Sequence, residues 1–184
     1  MLDYDIENEL RPHLISGEKL TWTGKPKAGI LLRGSDAFLI PFSLLWCGFA
    51  IFWESTVVFT GAPFFFKLWG IPFIAIGLYI TVGRFFVDAK KRAGTRYGLT
   101  EDRVIIKSGL FSKNVKSFNI KAVADISYKE KADGRGTITL GTADPGYAMM
   151  EGVEWPGAKQ PPRLELIDDV KTVYDKLIAI QRQR

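Results

Sequence analysis

Cysteine and histidine are almost absent from this sequence. The single cysteine, Cys47, excludes an internal disulfide and a cysteine-based zinc site, and the single histidine, His13, leaves no cluster to hold a metal. Cys47 lies inside an apolar run, where it is expected to behave as a small buried hydrophobe. There is no Gly-x-Ser-x-Gly elbow, no phosphate-binding loop and no His-Glu-x-x-His pair. Carboxylates such as Asp125, Glu130 and Asp133 are spaced like ordinary strand-edge and turn residues. The expectation is therefore no enzyme, with no catalytic, metal or cofactor residue. The first residues, Met1 to Glu9, are acidic and lack an apolar core, so no cleavable signal peptide is expected and the first long apolar run must do any targeting.

Charge is missing from two long stretches. No charged residue occurs from Ala37 to Trp53, and after Lys67 none occurs from Leu68 to Gly83. A chain of 184 residues that is 47% hydrophobic and 24% charged must keep the two kinds apart to reach a mean hydropathy of +0.04. Its 13 Phe and 5 Trp fit membrane spans and their interfaces. About 20 apolar residues cross about 30 Å of hydrocarbon. The first run reaches that length over 36–58, with Glu54 near the far interface. The second reaches it over 63–87, beginning near Pro63 with Lys67 snorkelling to the headgroups. Pro41 is placed in the first turn of its helix, and Pro72 is expected to kink the second. Gly70, Ala75 and Gly77 would let the two helices approach closely. Neither run has the polar face of a soluble core helix, and neither carries the mid-membrane charge of a transport pathway.

Basic residues flank the pair. Lys25, Lys27 and Arg33 precede it, and Arg84, Lys90, Lys91, Arg92 and Arg96 follow it. The connecting segment at 59–62 has only Glu54 and Lys67 nearby. By the positive-inside rule both termini of an integral membrane protein with these flanks are expected to be cytoplasmic.

After Arg96 the pattern turns to short strands. Tyr97–Thr100, Val104–Ser108, Val115–Ile120, Asp125–Lys131, Thr137–Gly141 and Arg163–Ile167 are predicted strands, with a tight turn at Asp133-Gly134-Arg135-Gly136. Val170, Val173, Tyr174, Leu177 and Ile178 then share one helical face, with Asp168 as the predicted N-cap. Strands followed by one helix predict a small curved sheet or barrel with the helix over its open end.

Three stretches resemble the bacterial pleckstrin-homology-like membrane proteins. Gly17-Glu18-Lys19-Leu20-Thr21-Trp22-Thr23-Gly24-Lys25-Pro26 looks like that group's lead-in. Tyr97-Gly98-Leu99-Thr100-Glu101-Asp102-Arg103-Val104 is similar to its first hairpin, and Asp133 to Ile138 with the Arg163–Gln181 ending completes the order. The resemblance implies an α+β chain: a two-helix transmembrane hairpin plus a small antiparallel pleckstrin-homology-like β-barrel capped by a C-terminal helix. The apolar runs and their flanks divide the chain into a lead-in (1–35), two spans (36–58 and 63–87) around an outer loop (59–62), and a cytoplasmic domain (88–184); the resemblance implies that the membrane is a bacterial inner or cell membrane. Trp22 is expected to anchor the lead-in on the barrel or at the membrane surface.

The function expected of such a chain is a membrane-anchored, non-enzymatic binding or scaffold module; the alternatives are a structural subunit of a larger membrane complex and, behind it, an undetected enzyme. Membrane lipids are the expected partners, with another membrane protein or a second copy next and nucleic acid excluded. Lys90, Lys91, Arg92 and Arg96, just beyond a span, are the candidate membrane-surface contacts, each gaining about 1 kcal/mol from anionic lipid. Lys107, Lys113, Lys116 and Lys121 read as a solvated face. The stretch from Thr142 to Pro162 is apolar for a loop, and Tyr147, Met149, Met150 and Trp155 make it a candidate interface.

Overall fold

The computed structural model describes residues 3–110, 112–142 and 161–183. They divide into two compact units, residues 30–89 and the remainder.

The apolar unit is a helical hairpin. Helix α2 (Asp36–Phe59) is followed by α3 (Phe64–Leu78), a π-helical turn at Tyr79–Gly83, and α4 (Arg84–Ala93), with the unit boundary inside α4. Gly77 brings the two backbones close, because a Cβ there would lie 3.1 Å from the Cα of Cys47. Gly70 leaves the notch that receives the Glu54 side chain. Ala75 is exposed, so the expected third small contact points away from α2. Pro41 falls in the second turn of α2 rather than the first, because the helix starts at Asp36. The irregularity in the second helical stretch is the π-turn, seven residues beyond Pro72.

Aromatic rings continue across the pair from Phe38 through Phe42 and Trp46 to Phe73, Trp69 and Phe65, with centroids 5.9–6.4 Å apart. The hydroxyls of Ser43, Ser55, Thr56, Thr60 and Thr81 each donate to a carbonyl of their own helix, so they need no water. At the open end of the hairpin, Arg84 pairs with Asp36 at 2.7 Å and Arg33 with Asp88 at 3.4 Å.

The second unit holds two antiparallel sheets. Strands β1 (Trp22–Gly24), β2 (Arg96–Leu99), β3 (Arg103–Ser108) and β4 (Asn114–Asn119) pair in that order. Strands β5 (Ile126–Glu130), β6 (Gly136–Leu140) and β7 (Arg163–Ile167) form the other sheet. No strand bridges the two sheets among the described residues, so the expected closed barrel is an open pair of sheets. Alternation explains the core: Tyr97, Leu99 and Val104 from one sheet and Ile126, Ile138, Leu140 and Leu164 from the other point inward. Tyr97 also ties the sheets together, its hydroxyl accepting from the Glu165 N–H at 3.1 Å. Burial pushes its phenol above the usual value, which keeps it neutral.

Helix α5 (Val170–Arg182) covers this core with Val170, Val173 and Leu177 buried and Tyr174 and Ile178 packed beside them, the face expected from spacing. Its N-cap position is Asp169, in the left-handed region, and Asp168 instead pairs with Arg135 at 2.7 Å.

Candidate functional site

The lead-in is built into the sheet. Trp22 joins the main core, β1 pairs with β2, and helix α1 (Tyr4–Leu10) lays Ile6 and Leu10 on the opposite face against Ile105. Gly98 is needed there, since a Cβ would collide with Leu10 and Leu20. Ion pairs pin the segment. Glu18 accepts from Arg103 Nε and Nη2 at 2.8 and 2.6 Å and from the Ile15 N–H at 2.9 Å. Those Arg103 hydrogen bonds, outweighing partial burial, hold its carboxyl down at about 2. Glu9 receives Lys107 at 2.9 Å and Arg96 at 3.3 Å, and the Lys107 hydrogen bond is the main cause of its lowered pKa. Sequence reasoning missed Glu9 and Glu18; the apolar i, i+4 pair Ile6 and Leu10 was the signal for a packed helix.

The four cations expected to form one membrane-facing patch are separated. Lys90 is exposed and Lys91 half-buried. Arg92 is buried, donating to the carbonyls of Lys27 and Gly29 at 3.1 and 2.8 Å, and so does not belong to a surface patch. Arg96 is half-buried and donates to the Ala93 and Thr95 carbonyls at 2.7 and 3.0 Å as well as to Glu9. Successive helical residues point about 100° apart, which divides what looks contiguous in sequence. Tyr147, Met149, Met150 and Trp155 lie outside the described residues.

The other basic group is spread along β3, β4 and the residues that follow. A cavity of about 270 Å³ lies at the β3–β4 turn, lined by Glu9, Gly94, Lys107, Ser108, Ser112 and Lys113 among others. Lys107 is answered there by Glu9 and Lys121 pairs with Asp102 at 3.2 Å, while Lys113 and Lys116 are exposed. Such a surface offers hydrogen bonds and positive charge. Among the described residues, no three His, Cys, Asp or Glu side chains converge as metal ligands.

The family model described as the bacterial PH domain matches residues 39–172, well over half of the chain. The chain belongs to the bacterial PH domain family. The match runs from the first apolar helix into α5, and β1 and α1 of this bacterial PH protein lie before it. A similar solved structure is that of a DUF1696 family protein with a pleckstrin-homology domain from Shewanella loihica PV-4. It is 11% identical over 98% of this chain and 99% of that chain, with a TM-score of 0.41. No curated protein matches.

Proposed function

We propose that this bacterial PH protein is a membrane-anchored, non-enzymatic binding or scaffold module, with the hairpin in the bilayer and the pleckstrin-homology-like unit and both termini in the cytoplasm. One observation carries the anchoring: among the described residues, most of the hairpin's large apolar side chains stand exposed. Phe38, Leu45, Phe49, Phe52, Phe65 and Ile76 are all half-exposed or more, and only 22% and 11% of the most apolar windows are buried. A core helix of a soluble protein would be covered. In water these side chains would lose about 1.5–3 kcal/mol each relative to burial, whereas lipid accepts them without penalty. The 24 residues of α2 give roughly 36 Å of helix, enough to cross the hydrocarbon. Intrahelical partners for the hydroxyls meet the demand that polar groups in lipid be satisfied internally.

Pairing across the hairpin supports the orientation. Trp22 to Gly24, before the apolar helices, pair with Leu99 to Tyr97, after them. Two flanks that share one sheet lie on one side of a membrane, and two crossings return the chain to that side. The basic flanks make it the cytoplasmic side. Binding rather than catalysis is the role of the second unit, whose polar side chains mostly serve its own packing. Lys90 and Lys91 bring anionic headgroups to the surface beside it.

The test is thiol labelling of intact cells with a membrane-impermeant reagent, in a Cys47→Ser background. Cysteines replacing Ser16 and Gln183 should stay unlabelled and one replacing Thr60 should react. Labelling of either terminal position, or recovery of the chain in the soluble fraction, would overturn the proposal.

A further inference from the structure

We propose that the outer edge of β4 docks an acidic, extended segment of a partner protein, which adds to the first sheet as a fifth strand. The inference rests on the binding-module reading and names the surface and the chemistry of what it binds.

The sheet order leaves β4 at the edge. Its register with β3 is uninterrupted from Asn114↔Ser108 to Asn119↔Arg103, with no bulge and no proline. The hydrogen-bond phase follows from two bonds at the ends of the strands. Thr100 N–H donates to the Arg103 carbonyl, and Ile120 N–H donates to the Asp102 carbonyl. In an antiparallel ladder the bonded pairs alternate, so Asn114, Lys116 and Phe118 direct their backbone groups toward β3. Val115, Ser117 and Asn119 direct theirs outward. Among the described residues no backbone group answers them. An unpaired edge of this kind is a template for strand addition.

Charge selects the occupant. From Arg103 to Ala124 there are five basic residues and no Asp or Glu. Arg103, Lys107 and Lys121 are met by Glu18, Glu9 and Asp102. Lys113 and Lys116 are exposed, and among the described residues no carboxylate pairs with either. A second copy of β4 would bring lysines to lysines, and like charges across strands are destabilising. A lipid surface supplies negative charge but no row of amide donors and carbonyl acceptors. An acidic extended chain supplies both.

The experiment uses the full chain in neutral-lipid nanodiscs and three fluorescent seven-residue probes. One alternates glutamate with valine, one alternates lysine with valine, and one is the glutamate peptide with a central proline. The glutamate peptide should bind, and its binding should weaken about tenfold or more in a Lys113→Glu, Lys116→Glu variant, which should prefer the lysine peptide. Hydrogen exchange at the Val115 and Ser117 amides should slow in the complex while that at Lys116 and Phe118 stays unchanged. Equal binding of the proline peptide, or no binding of any peptide, would overturn the proposal. So would loss of anionic-vesicle binding in the double variant without peptide binding, which would assign the lysines to lipid. None of these outcomes alters the labelling pattern at Ser16, Thr60 and Gln183, so failure of the docking edge and failure of the anchoring are read separately.

Discussion

Glu18→Gln tests whether the lead-in is held on the sheet by charge. The substitution keeps the shape and a hydrogen-bond acceptor but removes the carboxylate that faces Arg103. Glu18 has a folded pKa of about 2 against 4.5 for the free group. At about 1.36 kcal/mol per tenfold change in acidity constant, the shift corresponds to roughly 3 kcal/mol as a ceiling. The two side chains keep 15% and 20% of their exposure, and solvent screening brings the expected contribution to about 1.5 kcal/mol. The sign follows from the depressed folded pKa. The contribution is complete above the unfolded value of 4.5 and is lost as pH falls toward about 2. Scanning calorimetry of the full chain in nanodiscs should give a variant melting about 6 °C lower at pH 6. That gap should close between pH 4.5 and 2.5. Other carboxylates, Glu9 included, titrate in both proteins and cancel in the difference. Profiles that run parallel over this range would refute the reasoning.

Gly77→Val should force α2 and α3 apart, since even a Cβ at this position meets Cys47; a membrane-permeant maleimide should then label Cys47 at least several times faster than in the parent. Leu177→Asp places a carboxylate at a fully buried position under the sheets and should cost about 3–5 kcal/mol, enough to unfold much of a domain of ordinary stability; an unchanged melting temperature would show that α5 does not close this core. Replacing residues 30–89 with a short glycine-serine linker should yield a soluble, monomeric protein by gel filtration, because Arg92 already holds the chain ends together through the Lys27 and Gly29 carbonyls; aggregation would show that the hairpin is needed for the sheets to form.

The strands were legible because each carries its own alternation. Tyr97 and Leu99, Ile138 and Leu140, and Leu164 are inward residues at spacing two, and the observed strands begin and end within about a residue of the predicted ones. The helical face of α5 was legible for the same local reason. What stayed hidden was pairing over distance. Trp22–Gly24 is three residues long, too short to announce a strand, and its partner lies beyond two apolar helices. Nothing in an alternating pattern says which edges meet, so the resemblance suggested closure where the two sheets stand open. Arg92 was grouped with Lys90 and Lys91 by adjacency, but adjacency on a helix is not a shared face. Lys113 and Lys116 were visible as charges, yet their meaning depends on which carboxylates reach the other cations. That is set by the folding back of α1 and the Glu18 segment.

The bracketing of the hairpin by a single sheet constrains how such a protein matures. Strand β1 emerges first and has no partner until β2 follows the second helix. Arg103 and Lys107 must also appear before Glu18 and Glu9 can pair with them. If the hairpin is anchored as proposed, the lead-in waits unpaired on one side of the membrane while the apolar segments insert. Its contacts are non-local, and the loop they close contains the whole hairpin, so closure is costly unless the hairpin has already brought its two ends together. The hairpin does that: two antiparallel helices joined by a short connection return the chain beside its starting point. Under the proposed anchoring the bilayer lowers the entropic cost of the closure that the sheet requires, and the sheet in turn would hold both flanks on one side. Anchoring and folding of the second unit would then be one event, in keeping with a strand and a core tryptophan placed before the apolar helices when the rest of the sheet comes after them.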